Sequence, residues 1–259
     1  MSRIEIVQFP YLSDNYGVLL HDSHTQQTIA IDAGEDTAYN QALDSKGWSL
    51  SQIWVTHHHW DHTDGIKALY ERWQCEVIGP SKHSTTPIAH LSTKLEAGDT
   101  FQFADVSVEI LHTPGHTLDM INFYLTSENI LFTGDTLFSL GCGRVFEGDM
   151  DMMSRSINKI SALPDETIIY CSHEYTQANG KFALSVDGDN QLLISRINEV
   201  EMLLNEGKPT IPTNLRLEKQ TNPFLRTSSA AIRKRLGLEN ASEASVFAAL
   251  RAAKDNFNT

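Results

Sequence analysis

Five residues with metal-binding side chains fall within six positions of the sequence, in the segment Thr56-His57-His58-His59-Trp60-Asp61-His62. The apolar run at 52–56 before it predicts a short buried strand. Side chains alternate along extended backbone, so His57 and His59 face one side and His58 faces the other. Imidazole nitrogen and carboxylate oxygen are ligands that zinc accepts. An affinity tag would lie at a terminus and lack the aspartate. The segment therefore predicts two adjacent metal ions, bound by His57, His59, Asp61 and His62.

Three further candidate ligands each follow a predicted strand, namely His116 in TPGH, Asp135 in TGDT and His173 in CSHE. The ends of strands form the usual rim of an α/β active site. Taken singly, a histidine at such a place is more often structural than catalytic. Together with the histidine-rich segment, the three complete the ligands that two metal ions need.

Other histidines and one aspartate are weaker candidates. His112 lies four positions before His116, which imitates a helical zinc pair, but Pro114 and Gly115 between them prevent a helix. No metal role is assigned to the scattered histidines His21, His24, His83 and His90. Asp32 lies at the end of a predicted buried strand. It either accepts a proton from a ligand imidazole or caps a turn before Gly34, and the sequence leaves both open.

Composition limits the class of protein. The chain has 259 residues and a formal charge of −13, from 33 acidic and 20 basic residues. Such a surface repels phosphate backbones and anionic lipid, so we expect neither nucleic acid nor a membrane as partner. Three cysteines without a CxxC motif indicate a reducing compartment. We find no signal peptide and expect a cytoplasmic protein.

The hydrophobic pattern predicts a mixed α/β part followed by helices. Strands are predicted at 4–9, 15–21, 28–31, 52–56, 106–111, 121–125, 130–132 and 167–170. Helices are predicted at 36–46, 64–73, 150–163, 191–206, 228–236 and 242–255. The character changes after about residue 173, from alternating strands and helices to helices alone.

The seven candidate ligands, in this order, resemble the metallo-β-lactamase superfamily over about residues 1–175. The resemblance implies an αββα sandwich with the metal site at its edge. It assigns His57, His59, His116 and Asp135 to one ion. It assigns Asp61, His62, His173 and the shared Asp135 to the other ion. Asp32 would support a ligand imidazole without binding a metal ion itself.

Further motifs resemble the glyoxalase II family, the hydroxyacylglutathione hydrolases: THHHWDH, GDTLFSLGCGR, FEGD, HEYT, TNPFLR and a C-terminal R-x-x-K-D. By this resemblance Arg144, Tyr175, Arg251 and Lys254 contact glutathione. Phe146 stands where many relatives carry tyrosine, so ring stacking is kept and a hydroxyl hydrogen bond is lost. Arg251 and Lys254 lie on one helix face and could clamp a carboxylate, although without the family a solvated face would be favoured.

The resemblance implies a hydrolase built from residues 1–173, the catalytic domain, and residues 174–259, a helical glutathione-thioester-binding domain. Two divalent ions, zinc first with iron or manganese as alternatives, would supply hydroxide that attacks the thioester carbonyl. Asp135 would bridge the ions and Asp61 would help to move protons. The expected reaction releases glutathione and a 2-hydroxy acid, chiefly D-lactate, from S-D-lactoylglutathione, as the second step of methylglyoxal detoxification. We expect a monomer.

The same superfamily also offers other functions. A glutathione persulfide dioxygenase would use one iron and consume oxygen. A β-lactamase is exported, and a nuclease needs a basic surface. A non-catalytic module would hold its metal in a closed site, whereas these ligands, histidine and carboxylate without thiolate, suit catalysis.

Overall fold

The computed structural model describes residues 4–81 and 86–257. The chain divides into two units, Met1–His112 with Thr117–Glu128, and Thr113–His116 with Asn129–Thr259. The boundary expected after residue 173, between a catalytic and a glutathione-thioester-binding domain, is a different division and stays a prediction.

Six strands of the first unit form one sheet in sequence order. They are β1 Ile4–Tyr11, β2 Asn15–Asp22, β3 Thr28–Ile31, β4 Gln52–Trp54, β5 Glu76–Pro80 and β6 Leu91–Leu95. Strands β1 to β3 pair antiparallel, and β3 to β6 pair parallel. Parallel neighbours need crossover connections. Helix α1 (Thr37–Lys46) connects β3 to β4, and α2 (Trp60–Thr63) and α3 (Ile66–Trp73) connect β4 to β5.

The first unit buries apolar side chains on both faces of this sheet. On one face Tyr39 and Leu43 of α1 and Ile66 and Leu69 of α3 pack in one core cluster with residues of the strands. On the other face lies an antiparallel sheet of β7 (Thr100–Phe103), β8 (Val106–His112) and β9 (Ile121–Leu125). The buried Trp54 ring of β4 meets the rings of Phe101, Phe103 and Phe123 from this second sheet.

The second unit combines three paired strands and a small hairpin with most of the helices. Strand β10 (Ile130–Gly134) pairs parallel with β13 (Ile168–Cys171), which pairs antiparallel with β14 (Thr213–Asn214). Leu137–Phe138 (β11) and Gly141–Cys142 (β12) form a small hairpin. The helices are α4 Met150–Ser161, α5 Thr176–Asp187, α6 Gln191–Asn205, α7 Leu215–Thr221, α8 Ala230–Leu236 and α9 Glu243–Asp255, with a 3-10 turn at Pro223–Leu225. The predicted helical C-terminal part is confirmed.

Two predicted elements are shorter in the structure, because local hydrogen bonds interrupt them. The strand expected at 52–56 stops at Trp54, since the amide and hydroxyl of Thr56 donate to the Asp32 carboxylate instead of continuing the ladder. The helix expected at 64–73 begins at Ile66, because the Gly65 amide donates to the Ala33 carbonyl.

The sequence pattern does not predict several elements, among them strands β5, β6 and β7 and helix α5. Helix α5 contains Asn179 and Gly180, which weaken a helical pattern in sequence. Gly180 is nevertheless useful there, because a Cβ at this position would lie 3.2 Å from the Ile197 side chain of α6. The close packing of α5 on α6 thus stabilises a helix that helix propensity alone does not predict.

Across residues 4–81 and 86–257, no helix combines the length and the apolar composition that crossing a membrane requires.

We predict that Trp54→Ala lowers the free energy of unfolding by about 3–5 kcal/mol, the range for removing a large buried aromatic side chain. The Trp54 ring is fully buried and lies 5.0 Å from Phe101 and 5.2 Å from Phe123, measured between ring centroids. Urea denaturation followed by circular dichroism measures the change. Met202→Ala, which trims an exposed side chain of α6, should shift stability by no more than about 0.5 kcal/mol. Equal losses in the two variants would contradict the role given to the Trp54 cluster.

Candidate active site

The first ligand set consists of the candidate ligands His57, His59, Asp61 and His62, on the loop after β4 and on the first turn of α2. The Nε2 atom of His57 lies 3.1 Å from Nδ1 of His59. The Nε2 atom of His62 lies 3.3 Å from Oδ2 of Asp61. The rings of His57 and His62 are 4.1 Å apart between centroids. The structure therefore brings all four residues of this set together.

Hydrogen bonds on the outer side of two of these rings decide which nitrogen carries a proton. His62 donates from Nδ1 to Oδ2 of Asp32, at 2.9 Å. The Thr56 hydroxyl donates to the same carboxylate, so Nδ1 of His57, 3.0 Å from that hydroxyl oxygen, is the donor to it. The Nε2 atoms of both rings are then left with lone pairs, as metal ligation requires.

His58 faces away from this set, as strand alternation predicts. Its Nδ1 lies 3.0 Å from Oδ1 of Asp119, and both side chains are buried. His58 is therefore engaged by a carboxylate within the first unit.

The second ligand set consists of the candidate ligands His116, Asp135 and His173 in the second unit, with Asp135 after β10 and His173 after β13. The two carboxylate oxygens of Asp135 face different histidines. Oδ2 lies 3.4 Å from Nε2 of His116, and Oδ1 lies 3.3 Å from Nε2 of His173. A carboxylate that directs one oxygen to each of two imidazoles is arranged to serve two ions.

The backbone fixes His116 in this set. Its Nδ1 donates to the Arg144 carbonyl at 2.9 Å, which leaves the lone pair on Nε2. Gly143 permits this approach, because a Cβ there would lie 2.0 Å from the Asp135 carbonyl oxygen and 3.2 Å from Nδ1 of His116.

The spacing within each set fits a metal ion. Two ligands held about 2.1 Å from one zinc ion at tetrahedral angles lie about 3.4 Å apart. The facing atoms His62 Nε2 and Asp61 Oδ2 lie 3.3 Å apart, and His116 Nε2 and Asp135 Oδ2 lie 3.4 Å apart. Because each of these nitrogens holds a lone pair opposite a carboxylate, a cation between them removes the repulsion.

Aromatic rings border the second ligand set. The exposed Phe146 ring meets the His116 ring edge to face, with centroids 5.2 Å apart. The Tyr175 ring stacks on His173 at 4.7 Å, and Phe138 packs its edge against both. The two aromatic residues expected to contact substrate thus lie beside the second ligand set. Their contact with substrate stays a prediction.

The three cations expected to contact substrate form a cluster around one carboxylate, Asp255. Arg251 is 3% exposed, donates to Oδ1 of Asp255 at 2.9 Å and also donates to the Cys142 carbonyl. Arg144 is 66% exposed, with Nε 3.9 Å from the same Asp255 oxygen. Burial, and then the charges of Arg251 and Arg144, lower the pKa of Lys254 below its ordinary value. The binding of a glutathione carboxylate by these cations stays a prediction.

Most of the remaining histidines pack against rings or form hydrogen bonds outside the two ligand sets. His21 is buried, hydrogen-bonds Thr28 and stacks on Trp48. His90 stacks on Tyr70, and His112 donates from Nε2 to the Leu118 carbonyl. His83 lies outside the described residues.

Sequence reasoning missed several polar residues that surround the candidate ligands. Asp119 engages His58, and Asp255 is the counter-ion of the cations. Tyr11 and Asn15 both donate hydrogen bonds to Asp61. Asp255 could have been found, because it completes the R-x-x-K-D motif. Residue spacing does not reveal Asp119, Tyr11 or Asn15, because their partners are distant in sequence.

Two family models match the chain. One, described as Metallo-beta-lactamase superfamily, matches residues 15–173. The other, described as Hydroxyacylglutathione hydrolase C-terminus, matches residues 174–257.

Individual proteins give the same result. The chain is 47% identical to a hydroxyacylglutathione hydrolase from Ruegeria pomeroyi, over 98% of this chain and 99% of that protein. It is 46% identical to one from Rhizobium etli, over 99% and 100%. Among solved structures it is similar to ETHE1 from Myxococcus xanthus, with a TM-score of 0.65, 25% identity and coverage of 96% and 97%. The predicted fold class and the predicted family resemblance are confirmed.

We predict that the three cysteines resist alkylation in the folded protein. Burial raises the pKa of Cys75 and Cys142 to about 11 and that of Cys171 to about 12. The thiolate is the reactive form, so almost none is present at neutral pH. Iodoacetamide followed by mass spectrometry should find no label on the native chain and three labels after unfolding in guanidinium. Rapid labelling of Cys142 or Cys171 in the native state would reveal a usable cysteine nucleophile.

Proposed function

The chain belongs to the hydroxyacylglutathione hydrolases of the metallo-β-lactamase superfamily, and we propose that it hydrolyses S-(2-hydroxyacyl)glutathione thioesters to glutathione and a 2-hydroxy acid. The observation that carries this proposal is the match at 47% identity over 98% of the chain to a protein of that name. S-D-lactoylglutathione, which gives D-lactate, is the first substrate to test.

We assign the seven ligands to two divalent ions, with Asp135 shared. His57, His59 and His116 would bind one ion together with Asp135, and Asp61, His62 and His173 would bind the other ion together with it. The two directions of the Asp135 oxygens, toward His116 and toward His173, support the sharing. Zinc is the first choice for both positions, and iron and manganese accept the same nitrogen and oxygen donors.

The bound ions would lower the pKa of a water molecule and polarise the thioester carbonyl. Hydrogen bonds within the protein orient the metal-binding side chains before an ion binds. Asp32, Thr56 and the Arg144 carbonyl keep protons on the outer nitrogens of His62, His57 and His116. Asp61 is the residue we assign to proton transfer, through a carboxylate that is partly exposed and close to His62.

Recognition of glutathione is assigned to the cation cluster and the two rings. Glutathione carries two carboxylates, and the whole chain has a charge of −13. Arg144, Arg251 and Lys254 supply positive charge in one place, with Asp255 as their one close counter-ion among the described contacts. Arg144 and Lys254 are the accessible members. Tyr175 and Phe146 would contact the glutathione chain and fix the carbonyl for attack.

We predict that the purified protein hydrolyses S-D-lactoylglutathione without consuming oxygen and contains two metal ions per chain. Loss of thioester absorbance, an oxygen electrode and elemental analysis measure the three quantities. Oxygen uptake with glutathione persulfide, together with one bound iron, would instead show a dioxygenase.

Asp135→Ala is the decisive variant for the shared ligand. It should lose both ions and lower kcat/KM by more than about a hundredfold, since loss of an outer-shell partner alone already costs 10–100-fold. Retention of two ions in Asp135→Ala would contradict the sharing.

We predict that Lys254→Ala raises KM for S-D-lactoylglutathione by about tenfold and changes kcat little, because a hydrogen bond to a charged group contributes roughly 1.5–3 kcal/mol and Lys254 is only half-buried. The wild-type KM should also rise with pH. Lys254 loses its charge at a lower pH than an ordinary lysine, because burial lowers its pKa.

Steady-state kinetics across pH measures both effects, and the pH dependence should vanish in Lys254→Ala. Lys67→Ala removes a lysine that is 71% exposed on α3 and should leave KM unchanged. A normal KM in Lys254→Ala would remove Lys254 from the binding site.

A further inference from the structure

The hairpin of β1 and β2 places two buried polar side chains beside each other. Tyr11 is the last residue of β1 and Asn15 is the first residue of β2, and the two are direct partners in the antiparallel ladder. Both are buried, with 4% and 3% of their surface exposed. Buried polar groups need hydrogen-bond partners, so the contacts of these two residues carry information.

Tyr11 and Asn15 both donate to Asp61. The Tyr11 hydroxyl lies 2.8 Å from the Asp61 carbonyl oxygen. The Asn15 amide nitrogen lies 3.1 Å from Oδ2 of the Asp61 carboxylate and 3.5 Å from the Tyr11 hydroxyl. One residue thus holds the main chain of Asp61, and the other holds its side chain.

The backbone of Asp61 is also held from the loop after β3. A Cβ at Gly34 would lie only 1.9 Å from the Asp61 carbonyl oxygen, so the two backbones are in direct contact. The Ala33 amide donates to the His62 carbonyl at 2.8 Å. These contacts fix the main chain of Asp61. The direction of its carboxylate then depends on hydrogen bonds from neighbouring side chains.

Asn15 suits this task because its donor is neutral. A carboxylate oxygen accepts along two lone-pair directions. The Asn15 amide uses one of them on Oδ2, and the same oxygen lies 3.3 Å from Nε2 of His62. A lysine or arginine here would neutralise the carboxylate, whereas an amide orients it and leaves its charge for a metal ion.

We propose that Asn15 and Tyr11 are positioning residues that orient Asp61 and thereby set the affinity of the metal ion bound by Asp61 and His62. This inference rests on the proposed function for the identity of the ligands. It concerns metal affinity, which is measured without substrate.

The test is zinc binding to the full-length metal-free protein in competition with a chromophoric chelator. The wild type should show two binding events. Asn15→Ala should weaken one of them by about 10–100-fold, the usual cost of losing an outer-shell partner, and leave the other within about twofold. Tyr11→Phe keeps the ring, which packs against Tyr39, and should weaken the same event by about threefold to tenfold, as expected for one hydrogen bond.

Asn40→Ala is the matched control. Asn40 also donates to an aspartate, Asp36, at 3.3 Å, but on α1. It should bind both ions as the wild type does. Unchanged zinc affinity in Asn15→Ala and Tyr11→Phe would overturn the inference, as would equal weakening in Asn40→Ala. If Asn15→Ala does not fold, unchanged affinity in Tyr11→Phe alone overturns it.

Failure of the inference is separable from failure of the proposed function. A wild type that binds two ions and hydrolyses thioesters, with variants of normal affinity, refutes only the positioning role. A wild type that binds two ions and hydrolyses no thioester, with one event weakened in Asn15→Ala, refutes only the substrate.

Discussion

One buried carboxylate, that of Asp32, determines how the first ligand set is oriented. It accepts hydrogen bonds from the Thr56 amide, the Thr56 hydroxyl and His62 Nδ1, at 2.7, 2.9 and 2.9 Å. A buried charge is costly unless such donors are aimed at it, so the fold and the ligand geometry are stabilised together. Because the Thr56 hydroxyl is used as a donor, it can only accept from His57. A single aspartate thus fixes the proton positions of two histidines, and it adopts a left-handed backbone conformation to do so.

The second ligand set depends on the main chain instead, and the C-terminal helices hold that main chain in place. His116 donates to the carbonyl of Arg144, two residues after the end of the β11–β12 hairpin. Glu218 of α7 accepts from the Leu140 amide and the Ser139 hydroxyl, and Asn222 donates to the Phe138 and Gly141 carbonyls. Burial raises the pKa of Glu218, while the donors around it oppose that rise. The helical part therefore supports the hairpin as well as supplying cations.

Residues close in sequence or placed at strand ends could be predicted, and residues that act across the fold could not. Alternation after a strand predicts that His57 and His59 face one side, and its place at the end of a buried strand marks Asp32 as a possible partner of a ligand imidazole. Asn15 carries no such signal, because its partner Asp61 is 46 positions away. Strands β5 to β7 were missed for a similar reason, since their pairing partners and not their own composition make them strands.

The cation cluster shows why arginine and lysine are not equivalent at these positions. The Arg251 guanidinium is almost fully buried, yet it donates to the Cys142 carbonyl and to Asp255 and lies 5.2 Å from the Phe224 ring centroid. The guanidinium fork of arginine offers several N–H donors and can reach a carbonyl and a carboxylate at once, whereas lysine has a single ammonium group, whose pKa at Lys254 falls on partial burial. Arg251 therefore links Asp255, at the end of α9, to the Cys142 carbonyl. These charges act over a few ångströms, while the acidic surface beyond about 10 Å is screened by salt. The proposed binding of glutathione carboxylates at this cluster is thus compatible with a strongly acidic chain.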